Sequence, residues 1–223
     1  MKCKCQAIIF DFDGVIVESA DIKTRAYAQL YKEYGPEVVG KVVEYNLIQG
    51  GLSRYEHFRY FHRDILKKDL GQEEEIQLAE KFSELVKNAT INAPFVPGII
   101  EFLDKYKNII DFYIVSGTPE EELRYIVDMR NMTHYFKGIY GSPQTKASII
   151  TNILLFSNIE KEDVVMIGDS MTDYDGAMTV EIPFIGRISQ FRKDILPRDL
   201  FPKAIALIRD FNDKMTLPMA LFQ

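Results

Sequence analysis

The chain has 223 residues, 47% of them hydrophobic and 27% charged, which suits one α/β domain with an insertion or two small domains and excludes a largely disordered chain. Its net charge of −6 excludes the basic face of a general nucleic-acid binder, but it is compatible with a small phosphorylated ligand or with acids gathered around a divalent cation. No leader and no apolar stretch of membrane-spanning length is read, and Cys3 and Cys5, the only cysteines, are spaced for neither a zinc site nor a disulfide framework, so a frayed terminus and a cytoplasmic location are expected.

In chain order, Ala7-Ile8-Ile9-Phe10 reads as a buried strand that ends on Asp11-Phe12-Asp13-Gly14. From about Asp21 to Tyr34 the apolar spacing turns helical, with Ile22, Ala26 and Leu30 on one stripe, and Gly35-Pro36 stops it. A second helix is predicted over 37–47, followed by the Gly50-Gly51 break. Ser53-Arg54-Tyr55-Glu56 has the form of a capping box opening a third helix. A fourth starts near Gln72, with Glu73, Glu74 and Glu75 at the positive end of its dipole and Leu78, Phe82 and Leu85 as its stripe. Residues 88–98, with Pro94 and Pro97, read as a linker.

Beyond it strands and helices alternate: a helix over 99–106, a strand over 109–115, and a helix with Thr118 as N-cap ahead of Pro119. A strand near 138–140, a helix over 145–156, a strand over 164–167, a helix over 172–180 and a strand over 182–185 follow. Alternation implies a parallel sheet with helices on both faces, with ligands bound at the carboxyl ends of the strands. The helical run over 16–92 interrupts the pattern directly after the first strand and reads as an inserted helical cap over a core of 1–15 and 93–223. Residues 186–203, basic and broken by proline, read as surface, as do Asp163 and Asp175; His57, His62 and His134 lack ligand spacing and read as structural.

The residues able to carry chemistry fall at strand ends and helix starts. They are Asp11 and Asp13, then Ser116-Gly117-Thr118, then Lys146, then Gly168-Asp169 with Asp173. Two carboxylates as close as Asp11 and Asp13 repel unless a cation joins them. Mg²⁺ on Asp11 and Asp169 would fill that need. Lys146, the Ser116 hydroxyl and the N–H groups of Gly117 and Thr118 would bind phosphate oxygens. Asp11 would then be the nucleophile and Asp13 the proton carrier of phosphoryl transfer. Asp173 also completes a Ser170-x-x-Asp173 capping box. Arg54, after its glycine pair, is a candidate for gripping an anionic group of the substrate.

The order Asp-x-Asp-Gly, Ser, Lys, Gly-Asp-x-x-x-Asp resembles the haloacid dehalogenase superfamily of phosphohydrolases, specifically members with a helical cap inserted after the first strand. The resemblance implies a three-layer Rossmann-like parallel sheet under a mobile, substrate-selecting cap, and a Mg²⁺-dependent phosphatase for a small phosphorylated metabolite. It makes Asp11 the nucleophile and Asp13 the general acid/base, which also lends Mg²⁺ a backbone carbonyl. Ser116 and Lys146 match phosphate-binding positions, Asp169 the principal metal ligand and Asp173 its support. The presence of Asp13 is unlike true dehalogenases. Gly51-Leu52-Ser53-Arg54 is similar to a stretch in β-phosphoglucomutases, which makes a phosphomutase the alternative; Gly168-Asp169 with Asp173 is more like phosphoglycolate-type phosphatases. Lys23 stands about where both groups commonly carry a histidine.

Overall fold

A computed structural model describes residues 5–189, 200–212 and 216. The first strand, β1 (Ala7–Phe10), is buried along its whole length. Ile8 and Phe10 enter the apolar cluster on one face of the sheet and Ala7 and Ile9 the cluster on the other, the alternation a strand imposes when both faces are covered. Among the described residues it lies at the centre of a six-stranded parallel sheet with β2 (Asp111–Pro119), β3 (Gly138–Ser142), β4 (Val164–Gly168), β5 (Phe184–Arg187) and β6 (Ala206–Ile208), in the order β3-β2-β1-β4-β5-β6. Ala7 pairs with Asp111 on one side and Val164 on the other. The chain therefore reverses its winding direction between β1 and β4, and in open α/β sheets the crevice at that switch point is where ligands bind. Helices α5 (Ile99–Tyr106) and α6 (Glu120–Met129) cover one face; α7 (Lys146–Ser157) and α8 (Met171–Val180) cover the other.

Between β1 and β2 the chain forms α1 (Ala20–Leu30), α2 (Pro36–Gln49), α3 (Arg54–Tyr60), which runs on into one π-helical turn, and α4 (Gln72–Asn92). Tyr27, Tyr31, Val42, Phe58, Phe61, Phe82 and Val86 bury against one another in a cluster separate from the two that sandwich the sheet. Ile16 and Val17 belong instead to the sheet's own cluster, and Val17 bridges to Asp13 and to Phe95, so the helical block proper begins at Ala20.

Several local expectations shift. The segment foreseen as a linker from residue 88 is helical as far as Asn92, because Val86 and Thr90 extend the buried face of α4 and Arg130 donates to the carbonyls of Thr90, at 2.9 Å, and Ile91. Cys5 is buried, with its thiol donating to the Ala7 carbonyl at 3.3 Å, so it belongs to the core rather than to a frayed end; Cys3 lies outside the described residues. In the segment read as surface, Gly186 and Arg187 are buried in β5 and Phe201 packs on Phe184 and Tyr174. Residues 190–199 lie outside the described residues. The strand β6 was not foreseen. Its Ala206 and Leu207 are partly or well exposed, as an edge strand allows, so it lacks a continuous apolar run.

Candidate active site

Asp11 is still in the sheet, its N–H bonded to the Ile167 carbonyl at 2.9 Å. The chain then turns at Gly14, which has φ +77° and donates its N–H to Val17 at 2.8 Å. A side chain at this position would also collide with Asp169, whose Oδ2 lies 2.2 Å from where its Cβ would stand. Glycine thus lets the carboxylate at the end of β4 lie directly against the turn that follows β1.

On the β4 side, Ser170 caps α8 and Asp173 folds back on it in the expected capping box. Asp173 Oδ2 accepts from the N–H groups of Asp169, at 3.2 Å, and Ser170, at 3.1 Å, and from the Ser170 hydroxyl at 2.6 Å. Its Oδ1 accepts from Lys146. Lys146 opens α7, where the helix dipole disfavours a cation; Asp173 and Asp11, whose Oδ1 is 3.3 Å from the ammonium, offset that cost. Burial alone would push the Lys146 pKa down, yet these two carboxylates drive it above its ordinary value.

Asp11, Asp169 and Asp173 bring carboxylate oxygens within 4.8 Å of one another, all buried. Against three carboxylates stands one ammonium. Burial, and then the neighbouring Asp173, push the Asp11 carboxyl well above the usual carboxylate range, while Lys146 pulls the other way. Asp11 Oδ1 is buried and accepts no hydrogen bond. A hard divalent cation fits this donor set. Both oxygens of Asp173 already accept hydrogen bonds, so this side chain ties Lys146 to the turn that carries Asp169 and Ser170.

The side chain of Asp13 takes a different course. Its Oδ1 accepts from Ser19 at 2.6 Å, and its Oδ2 accepts from Lys23 at 2.5 Å and Thr118 at 3.1 Å. Burial would raise its pKa, but the Lys23 charge together with the three hydrogen bonds holds it below the ordinary carboxylate value. The sequence marked Lys23 only as standing where a histidine is common; its ion pair with Asp13 was not foreseen. The legible signal is its spacing: Ser19 and Lys23 are four residues apart at the start of α1, so both overlie one carboxylate.

The Ser116 loop also departs from expectation. The Thr118 hydroxyl does not cap a helix; it lies between Lys23, at 2.9 Å, and Asp13. The chain therefore stays extended through Pro119, and α6 begins at Glu120. The Ser116 hydroxyl accepts from the Thr118 N–H at 3.2 Å. Glu120, Glu121 and Glu122 occupy the first turn of α6, so the positive helix end meets acids rather than the mouth.

The helical block closes over this mouth. A Cβ on Gly51 would lie 1.9 Å from Thr172 Oγ1, and one on Gly117 would lie 2.5 Å from the Gly51 carbonyl. Beneath the closure is a cavity of about 20 Å³, room for one water, lined in part by Asp13, Lys23, Thr24, Asn46 and Asp169. Arg54 does not line it. Its guanidinium is buried on the Phe82 ring, 4.9 Å from the centroid, and holds Glu122 of α6 bidentately at 2.5 and 3.0 Å. The sequence placed it at a helix start free to meet a substrate; the fold gives it an internal anion instead.

An open parallel sheet with carboxylates at its switch point, Lys146 and Lys23 beside them and a helical block inserted after the first strand defines an α/β class of enzyme mouth. The sequence model of the haloacid dehalogenase-like hydrolases matches residues 8–187, and the chain belongs to that family. Over 174 residues it is 25% identical to Phosphoglycolate phosphatase 1 of Pseudomonas aeruginosa, a match spanning 74% of this chain and 63% of that protein. The solved structures of β-phosphoglucomutase from Clostridium difficile and of CbbY from Rhodobacter sphaeroides in complex with phosphate share its fold. The first has a TM-score of 0.76 and 20% identity, over 96% of this chain and 95% of that one. The second has a TM-score of 0.76 and 16% identity, over 97% and 99%. Among the described residues no helix is long and apolar enough to cross a membrane.

Proposed function

We propose that this hydrolase is a Mg²⁺-dependent phosphatase of small phosphomonoesters that works through an aspartyl-phosphate on Asp11. The observation that carries the reading is the separation of two carboxylates from one strand end into opposite surroundings. Asp11 faces Lys146 and the acid cluster; Asp13 is held ionised by Lys23. Asp11 thus stands where a divalent cation would balance it as a nucleophile, while Asp13 stands apart beside Ser19, Lys23 and Thr118, which supports separate roles for the two carboxylates.

Mg²⁺ would be held by Asp11 and Asp169, with the Asp13 carbonyl as a third protein ligand, and would supply positive charge to the phosphoryl oxygens. Lys146 adds a point charge and the Ser116 hydroxyl and Gly117 N–H add neutral donors. An Asp11 oxygen attacks phosphorus, the ester P–O bond breaks, and Asp13 passes a proton to the departing oxygen. Asp13 then takes a proton from the water that attacks the acyl phosphate, which frees inorganic phosphate and restores Asp11. In the closed arrangement Asp13 is a carboxylate, as the second half needs. For the first half the substrate's ester oxygen takes the place of Lys23, burial then favours the neutral acid, and Asp13 takes from solvent the proton that it gives to the departing oxygen.

The helical block is then a cap, and 2-phosphoglycolate heads the candidate substrates because the P. aeruginosa relative is named for phosphoglycolate. The test is phosphate release from a panel of phosphomonoesters with and without Mg²⁺. Release that requires Mg²⁺ and is abolished by Asp11→Asn is the expected result, and hydrolysis retained by that variant would rule out the nucleophile. A panel that yields isomerised hexose phosphate in place of free phosphate would favour a phosphomutase.

A further inference from the structure

Arg187 sits at the end of β5, two strands from β1, and takes no part in the chemistry above. Its side chain is 2% exposed. Burying a guanidinium is costly unless its donors are met, and here each of its nitrogens finds a partner. Nε donates to the Arg209 carbonyl at 2.8 Å and Nη1 to the Gly14 carbonyl at 2.6 Å. Nη1 and Nη2 together hold the two oxygens of Glu18 at 3.1 and 2.5 Å. A residue needed only to fill this space would do so at lower cost as methionine.

What these contacts hold is the turn after Asp13. Gly14 is pressed from one side by the Asp169 carboxylate and tied at its carbonyl by Arg187. Glu18 in turn donates its N–H to the Pro94 carbonyl at 2.9 Å, so the residue that Arg187 grips also ties together the two segments joining the helical block to the sheet. Asp13 lies between the β1 anchor at Asp11 and the Arg187 anchor at Gly14, and its own bridge partner is Val17.

We infer that Arg187 is a positioning residue: through the Gly14 carbonyl and Glu18 it fixes the 13–18 turn and so aims the Asp13 carboxylate. The effect on turnover rests on the phosphatase reading; the effect on the turn does not. Without the guanidinium, Asp13 samples orientations in which its carboxylate misses the ester oxygen, while Lys146 and Ser116, which lie outside the turn, still bind the phosphoryl group.

The experiment compares the full chain with Glu18→Gln and Arg187→Lys, in Mg²⁺, by two readouts: backbone amide exchange at Gly14 and Val17, and kcat and KM on the best substrate of the panel. Glu18→Gln keeps the Gly14 bond and is the milder change, so it remains informative if Arg187→Lys fails to fold. The expected result is amide exchange faster by about tenfold and kcat lower by about tenfold, with KM within about twofold. Unchanged exchange overturns the inference, as does faster exchange with an unchanged kcat, or a rise in KM with kcat preserved. If the wild-type chain hydrolyses nothing, the phosphatase reading falls, and exchange at Gly14 and Val17 still decides whether Arg187 holds the turn.

Discussion

At the residue scale, the division between Asp11 and Asp13 comes from their partners rather than from their own chemistry. A cation carried by α1 sets Asp13 apart, so Lys23→Met is expected to lower turnover by about ten- to a hundredfold. Asp13 would retain Ser19 and Thr118 but lose the charge that outweighs its burial. Steady-state rates on the panel's best substrate check this, and an unchanged rate would show that Lys23 is structural. Asp11, Lys146, Asp169 and Asp173 could be singled out because each follows a strand or lies in the first turn of a helix, positions that local pattern reveals; Ser116, expected at a strand end, lies inside β2. The pairing of Lys23 with Asp13, the place of the Thr118 hydroxyl and the role of Arg187 were not read, although the Ser19–Lys23 spacing carried a signal for the first. Thr118 followed by Pro-Glu-Glu has the pattern of an N-cap, and only the arrival of Asp13 and Lys23 from elsewhere in the chain overrides that preference.

The elements of the helical block show the same contrast. The capping boxes at Ser53 and Ser170 formed as read, since each needs only four consecutive residues. The length of α4 depended on Arg130, a partner from another element. Behind Lys23 the block buries a polar relay: the Thr24 hydroxyl lies 2.8 Å from Asn46 Oδ1, the Asn46 amide 3.2 Å from His57 Nε2, and His57 Nδ1 3.1 Å from the Ser53 carbonyl. This arrangement uses a neutral imidazole, and burial pushes its pKa down to about 4. The unfolded chain accepts this proton near pH 6.5, whereas the folded chain refuses it until about pH 4. Stability is therefore lost as pH falls through that window, by up to about 3 kcal/mol. Urea titrations at pH 7 and pH 4.5 should show that loss, and His57→Gln should reduce it; equal slopes in both proteins would exclude His57 as the source.

For the whole molecule, alternation in the sequence was enough to predict a parallel three-layer sheet. The strand order was not read, because pairing partners lie far apart in the chain. The buried cluster of three acids against one lysine leaves the closed structure short of positive charge, so a divalent cation should stabilise the entire fold. At a hundredfold excess over its dissociation constant Mg²⁺ contributes about 2.7 kcal/mol, which for a chain of this size raises Tm by about 5 to 10 °C. Differential scanning calorimetry with Mg²⁺ and with a chelator measures the shift, and Asp169→Asn should remove most of it.

The placement of β1 also has a consequence for how the protein is made. This strand, buried on both faces in the finished sheet, takes its neighbours from Asp111 and Val164 onward. A chain synthesised from its amino end builds the whole helical block before either neighbour exists. That block has an apolar cluster of its own and can gather while synthesis continues. The strand bearing the proposed nucleophile waits meanwhile as an unpaired apolar segment, a template for wrong pairings, and its assembly is completed only when the second half of the sheet arrives.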